Sequence, residues 1–278
     1  MRFGILLCGL LFLTPAMAAA HEPIFSLGPQ TIYKAGIGLE TKVEVERKTG
    51  GGKEEEEWRI VEEIAYGVTR NLTVTMQVPY RFRDVEGPIG DRDSNGFGDI
   101  SLRTKFRVYQ EAEIGLQHHV ALIGGIKFPT GSTSEDPALG SGSTDFLIGA
   151  TASRDGRRYY AWSSVLYRIN TEGSGDRTRG NLLQASVAGG IRPYLPEFYD
   201  PDLLLLVELN SEFRERDTMN GSDLRNTGGN SLFISPGFWL TYRNWALKGG
   251  VQIPILQDLN GRQPELDYRA VLAVEYHF

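Results

Sequence analysis

Cysteine is nearly absent from this chain of 278 residues: the one present, Cys8, lies in an apolar run near the N-terminus. More apolar residues follow it, so a lipid-anchored cysteine is a poor reading, and beyond it there is no thiol for a disulfide, a thiolate nucleophile or a cysteine-bound metal. Histidine is scarce too, with only His21, His118, His119 and His277. Long apolar stretches are missing. The run Phe3 to Leu13 falls short of the ~20 residues a membrane helix needs, and mean hydropathy is −0.26, which excludes a polytopic helical transporter. Excess positive charge is lacking as well: 29 Lys and Arg stand against 35 Asp and Glu, with a pI near 5.4. Without a basic field to meet phosphates, nucleic acid is not an expected partner.

Glycine, at 33 residues, is plentiful, and 41% hydrophobic content is too high for a disordered linker, so the glycines belong to packed structure. Arg2, the apolar run, Pro15 and then Ala16-Met17-Ala18-Ala19-Ala20 have the layout of a secretory signal peptide, with cleavage after Ala18 or Ala20. Residues 1–20 are thus expected to be an export signal, and 21–278 a single domain. Loss of Arg2 takes the net charge from −6 to −7.

Beyond the signal, the pattern has period two. Leu72, Val74, Met76, Val78, Tyr80 and Phe82 alternate with Thr73, Thr75, Gln77, Pro79, Arg81 and Arg83. The same two faces recur around Ile100–Val108 and Leu203–Arg214. Such alternation describes strands with one apolar and one polar, often charged, face. A soluble sandwich and an outer-membrane barrel both satisfy it.

Connection lengths favour the barrel. About twelve strands are expected, near 31–47, 58–68, 71–83, 97–109, 117–128, 144–154, 158–169, 181–193, 202–214, 230–242, 244–256 and 266–278. Links alternate between tight turns, such as Thr69-Arg70 and Asp155-Gly156, and long polar loops, such as 48–57, 84–96, 129–143, 170–179 and 215–229. Short turns on the periplasmic side, long loops outside and an even strand count are the outer-membrane arrangement, with both termini periplasmic. The last strand alternates Tyr268, Ala270, Leu272, Val274, Tyr276 and Phe278 with polar or small residues and stops on the aromatic. It resembles the terminal strand recognised by the bacterial barrel-assembly machinery, with Tyr276 and Phe278 as the assembly signal. Aromatics also fall in two girdles: Tyr66, Tyr109, Tyr159, Tyr160, Tyr194, Tyr242 and Trp245 by the turns, and Tyr80, Phe82, Phe97, Phe128, Phe146 and Phe213 by the loops. Glu62 stands out, because it shares the apolar face of Trp58, Ile60, Ile64 and Tyr66.

Gln77-Val78-Pro79, Lys127-Phe128-Pro129 and Gln252-Ile253-Pro254 each end a rising strand in the same way. Together with Gly96-Phe97-Gly98-Asp99-Ile100-Ser101-Leu102, Phe128-Pro129-Thr130-Gly131-Ser132 and the terminal strand, they resemble the family of outer-membrane transporters named for the MetA pathway of phenol degradation. The resemblance implies a barrel associated with uptake of small, often aromatic compounds, and it supplies no catalytic motif.

Candidate chemistry is thin. Asp91, Asp93, Asn95 and Asp99 begin like a calcium loop, but the twelfth position is Leu102 rather than a bidentate Glu, so a polar extracellular loop is the better reading. His118 and His119 are adjacent on a strand and face opposite ways, so no metal pair is expected. Gly140-Ser141-Gly142-Ser143 lacks the Lys of a phosphate loop and reads as flexible. No metal, cofactor or catalytic residue is expected. Enzymes of the outer leaflet need a His beside a nucleophile there, and all four His fall at the N-terminus or by the turns.

Function should therefore reside in the lumen. Arg81, Arg83, Arg103, Lys105 and Arg107 on the third and fourth strands make a basic wall; Glu208 and Glu212 on the ninth, with Glu40 and Glu44 on the first, are its acidic counterparts. Either the walls face each other across an open pore, or their charges pair into a network that closes it. The expected protein is a single-domain barrel in outer-membrane lipid, inserted by the assembly machinery and passing small-molecule solutes passively. A plugged structural or interaction barrel is the alternative, and a lipid-modifying enzyme a distant third.

Overall fold

The structure, a computed structural model, describes residues 21–88, 90–197 and 200–278. The expected signal peptide, residues 1–20, lies outside the described residues. The strands are β1 (Ile37–Gly50), β2 (Lys53–Gly67), β3 (Leu72–Glu86), β4 (Arg92–Phe97), β5 (Ser101–Glu113), β6 (Leu116–Lys127), β7 (Asp145–Gly156), β8 (Tyr159–Ile169), β9 (Arg177–Thr178), β10 (Leu182–Ile191), β11 (Asp202–Arg214), β12 (Thr218–Met219), β13 (Ser222–Asp223), β14 (Gly229–Tyr242), β15 (Trp245–Leu259) and β16 (Glu265–His277). Twelve of them, all but β4, β9, β12 and β13, pair antiparallel in chain order, and β1 pairs with β16 from Gly38↔His277 to Thr49↔Glu265. This closes an up-and-down barrel with no free edge. Every barrel strand expected from the periodicity is present.

Alternation sorts the two faces as the period-two pattern requires. On β11, Leu205, Val207 and Leu209 are 43–47% exposed, whereas Glu208 between them is fully enclosed. A soluble protein does not leave bands of Leu, Val and Ile in water; here they form the lipid-facing belt. Tyr66, Tyr109, Tyr159, Tyr194, Tyr242 and Trp245 are exposed around it. Tyr160 departs from the expected girdle: next to outward Tyr159, it must point inward, and it stacks on Trp162 at 5.5 Å. Glu62 does face outward, where the Thr41 hydroxyl donates to its carboxylate at 2.9 Å.

Three expectations need correction. The first strand begins at Ile37 rather than Thr31, because residues 21–36 turn into the barrel. The second begins at Lys53 rather than Trp58: β1 and β2 run on to a two-residue turn at Gly51-Gly52, where φ is +63° and +78° and glycine costs least. The acidic stretch read as a loop is a strand because its charges are answered, Glu54 by Arg47 and Glu57 by Arg81. Residues 84–96 are likewise a hairpin more than a loop, with β4 folding back on β3 from Tyr80↔Phe97 to Val85↔Arg92. The remaining short strands tie two loops together, β9 to β12 and β12 to β13.

The inner face is not polar throughout. Near the short turns, Tyr160, Trp162, Leu204, Leu206 and Trp239 form an apolar cluster inside the barrel, and Ile24 packs on it. Burying a side chain of this size contributes about 1.5–3 kcal/mol, so the cluster gives the N-terminal segment a seat.

Candidate functional site

The segment 21–36 crosses the lumen near the short-turn end and is held from several walls. Glu208 of β11 accepts from the amides of Ile24 (2.6 Å) and Phe25 (2.9 Å) and from the Ser26 hydroxyl (2.8 Å). On β7, the Thr151 hydroxyl donates to the Leu27 carbonyl (2.6 Å), and Asp155 accepts from Gln30 Nε2 (2.8 Å). Lys105 of β5 pairs with Glu22, and Thr73 of β3 accepts from the Ile32 amide (2.9 Å). Ala35 donates to the Gly67 carbonyl just before the segment becomes β1. Gly250 on β15 makes room: a Cβ there would sit 3.1 Å from the Phe25 ring. A carboxylate enclosed without a countercharge needs several donors, and the chain's own N-terminal amides supply them.

His21 is buried against the same cluster, edge-on to Tyr160 (5.5 Å) and Trp239 (5.8 Å), with Nε2 3.5 Å from Asp202. Burial lowers its pKa to about 4, and Asp202 offsets this only in part.

Above this floor lies a cavity of about 1190 Å³ in the loop-side half of the barrel, with Phe25, Ser26 and Leu27 among its lining residues. The basic residues named from the sequence divide along the axis. Arg81, Arg83 and Arg103 line the cavity, Lys105 is sequestered on Glu22 below it, and Arg107 sits at the turn end on the Arg70 carbonyl (2.7 Å) and Asn71. They do not form a free basic wall. Arg81 and Arg83 share Glu57 (2.8 and 3.3 Å) on the neighbouring strand β2, and Arg103 on β5 reaches across β3 to Glu63 of β2 (3.3 Å). Nor are the acids an opposing wall. Glu40 is held by Lys248 and Lys42, Glu44 by Arg59 (3.0 Å) and Glu212 by Arg269 (2.8 Å). Charges neutralise along the wall: Glu44 meets Arg59 on the next strand, whereas Glu40 and Glu63 reach two strands round, to Lys248 and Arg103, and Glu212 three, to Arg269, because long inward side chains span more than one ~4.8 Å strand spacing. The sequence reading missed Glu57 and Glu63. Their inward alternation on β2 was the signal that would have found them; Glu57 stands opposite Arg83 of β3, and Glu63 opposite Gln77.

The loop 129–143 folds into the mouth instead of waving free. Arg81 donates to the Leu139 carbonyl and Arg83 to the Ala138 carbonyl, each at 2.6 Å, and Leu139 is buried. Asp99 accepts from the amides of Gly131 (3.0 Å) and Ser141 (2.8 Å) and from the Ser141 hydroxyl (2.6 Å). Gly140-Ser141-Gly142-Ser143 is thus a clamped turn. The calcium pattern disperses for the same reason: Asp99 serves this loop, while Asp93 and Asn95 lie exposed on β4 and Asn95 accepts from the Tyr80 hydroxyl (3.1 Å). His119 points inward to Asp155 (3.2 Å), and His118, adjacent to it on β6, takes the opposite face. At the seam, the Trp245 ring lies tilted against Tyr276 at 4.6 Å and Tyr276 meets Phe278 edge-on at 4.7 Å, and the Phe278 amide donates to the Ile37 carbonyl.

With a closed twelve-stranded barrel and a polar, loop-side lumen in view, the relatives can be compared. The family described as "Putative MetA-pathway of phenol degradation" matches residues 20–255. The chain belongs to this family. Among solved structures, an outer membrane channel from Pseudomonas putida F1 is similar with a TM-score of 0.68 at 15% identity, over 90% of this chain and 98% of that one. The beta domain of the Bordetella autotransporter BrkA is similar with a TM-score of 0.53 at 10% identity, over 88% and 100%. At such identities the likeness establishes the fold, an outer-membrane barrel. Among curated proteins, none matches the sequence.

The docked floor can be tested in two ways. Because the domain has no cysteine, Pro29→Cys introduces a single buried thiol. It should react slowly with a maleimide, and on the order of tenfold or more faster when combined with Glu208→Ala, since a hydrogen bond to a charged group contributes about 1.5–3 kcal/mol. Equal rates would show that Glu208 does not hold the segment. The second test concerns pH. The docked His21 binds its proton only near pH 4, while a released one binds near 6.5, so docking is full above pH 6.5 and weakens as pH falls toward 4, by up to ~1.4 kcal/mol per unit. Labelling of the Pro29→Cys variant should accelerate over that window, and adding His21→Phe should flatten the dependence.

Proposed function

We propose that the protein is a passive outer-membrane channel for small molecules, entered from the loop side and restricted at the turn side by its own N-terminal segment. The observation that carries this reading is the cavity of about 1190 Å³, polar and charged, open among the loops and floored by residues 24–27 rather than by the barrel wall. A floor made of a segment held by hydrogen bonds can move; a floor of barrel side chains cannot. The Pseudomonas neighbour's description as an outer membrane channel and the family's link to phenol degradation support the reading and suggest small, including aromatic, organic solutes. The short turns are assigned to the periplasm, which places both termini there and lets the segment 21–36 act from that side. The terminal Tyr276 and Phe278, outward at the seam, fit recognition by the assembly machinery. Catalysis is not proposed: His21, His119 and His277 cluster at the turn end, in structural contacts with Asp202, Asp155 and Glu275.

The alternative, a permanently plugged structural barrel, draws support from the several anchors of the segment, and conductance separates the two. Refolded protein in planar bilayers should give small, intermittent openings, and deletion of residues 21–31 should enlarge the conductance severalfold. Silence of both proteins, each shown to be folded by heat-modifiable migration, would favour the plugged barrel. Orientation has its own check: an epitope inserted at Gly221 should be reached on intact cells and one at Gly156 should not, and reversed labelling would invert the assignment.

A further inference from the structure

Charge pairing in the cavity is nearly complete, and the exceptions are grouped. Every other lysine and arginine lining it, from Lys42 on β1 to Arg269 on β16, has a carboxylate oxygen within 4.0 Å. Arg168, Arg179 and Arg214 also line it, and among the described residues none of the three has such a partner. Arg168 of β8 and Arg214 of β11 stand opposite the same residue, Leu182 of β10. Their backbones are therefore two strand spacings apart, about 10 Å, and both side chains face inward, so one small anion fits between their heads. Arg179, three residues before Leu182, lies within the influence of Arg214 and of Arg81 across the mouth.

The nearest acids are already engaged. Asp145 is held by Lys127 and the Thr171 amide, Glu212 by Arg269, and Asp217 by Arg177 and the Gly180 amide. Like charges are thus left facing one another in a cavity that neutralises the other cations lining it. Beside them the wall is apolar. Leu147 stands opposite Arg168 on β7, Leu166 is the next inward residue on β8, and both line the cavity with the buried Leu182.

We propose that Arg168, Arg179 and Arg214 form an anion-binding subsite that takes a small organic carboxylate, its charged head between the guanidiniums and its apolar body on Leu147, Leu166 and Leu182. Guanidinium presents paired donors that match a carboxylate, and desolvated leucine favours a ligand with hydrocarbon behind the charge over a bare inorganic anion. The proposal deepens the channel reading by naming a solute class, and its physiological meaning rests on that reading; binding itself needs no conduction.

The test is isothermal titration calorimetry on the refolded full chain in detergent at low salt, with benzoate as the probe and acetate and benzyl alcohol as comparators lacking the apolar body or the charge. Benzoate should bind at least fivefold more tightly than either, and raised salt should weaken it. Arg168→Gln with Arg214→Gln should lower benzoate affinity at least tenfold, and Arg179→Gln, outside the barrel wall and so independent of its folding, at least threefold. Arg243→Gln at the opposite rim should leave it unchanged. Failure of the wild type to bind benzoate, equal binding of benzyl alcohol, or undiminished affinity in folded Arg179→Gln would each overturn the subsite. Binding without any bilayer conductance would keep the subsite and remove the channel reading; conductance without binding would do the reverse.

Discussion

Closure of the β1–β16 seam is the constraint on which everything else depends. In hydrocarbon an unpaired backbone amide costs several kcal/mol, so a strand sheet survives there only as a ring without edges. Once the ring is closed, side-chain alternation leaves no choice: one residue in two meets lipid and the next meets the lumen. The terminal strand therefore carries apolar and aromatic residues on one face and Arg269, Ala273 and Glu275 on the other, and Arg269 and Glu275 reach into the interior to complete ion pairs begun on β15, β11 and β1.

An interior lined with so many charges sets a second problem, which the chain solves differently along the axis. At the turn end, charge gives way to an aromatic and aliphatic cluster, and the N-terminal segment packs there with Glu208 turned to its amides. In the middle, acids and bases one to three strands apart neutralise one another. Toward the loops, Arg81 and Arg83 spend part of their donor capacity on carbonyls of a loop folded into the mouth. Fixed wall, docked floor and clamped overhang are three uses of one inner face.

Much of this was legible in the sequence, and the reason is period two. Strand number and the two faces of each strand follow from alternation over ten or more residues, a signal that survives without any tertiary knowledge, and the up-and-down order follows from the alternation of short and long connections. Strand ends were less legible where charge was mistaken for loop. Lys53–Glu57 and Arg92–Phe97 are polar yet paired, because beyond the lipid belt a strand needs only hydrogen bonds and answered charges. Tyr160 was misplaced by reading composition near a turn in place of counting parity.

The sequence by itself determined the barrel: an all-β chain whose alternating faces, connection lengths and terminal strand together point to lipid outside and a polar lumen within, with Arg81, Arg103, Glu40 and Glu212 on its inner face. Only the tertiary structure decided what those residues do. Whether an inward arginine meets an acid or stands free depends on the stagger between strands, and stagger moves partners by residues that no single-strand pattern records. The course of residues 21–36 was hidden for a similar reason. An irregular segment has no period to read, and its path through the lumen is set by contacts with Thr73 of β3, Thr151 and Asp155 of β7 and Glu208 of β11, three strands far apart in sequence that come together only when the ring closes.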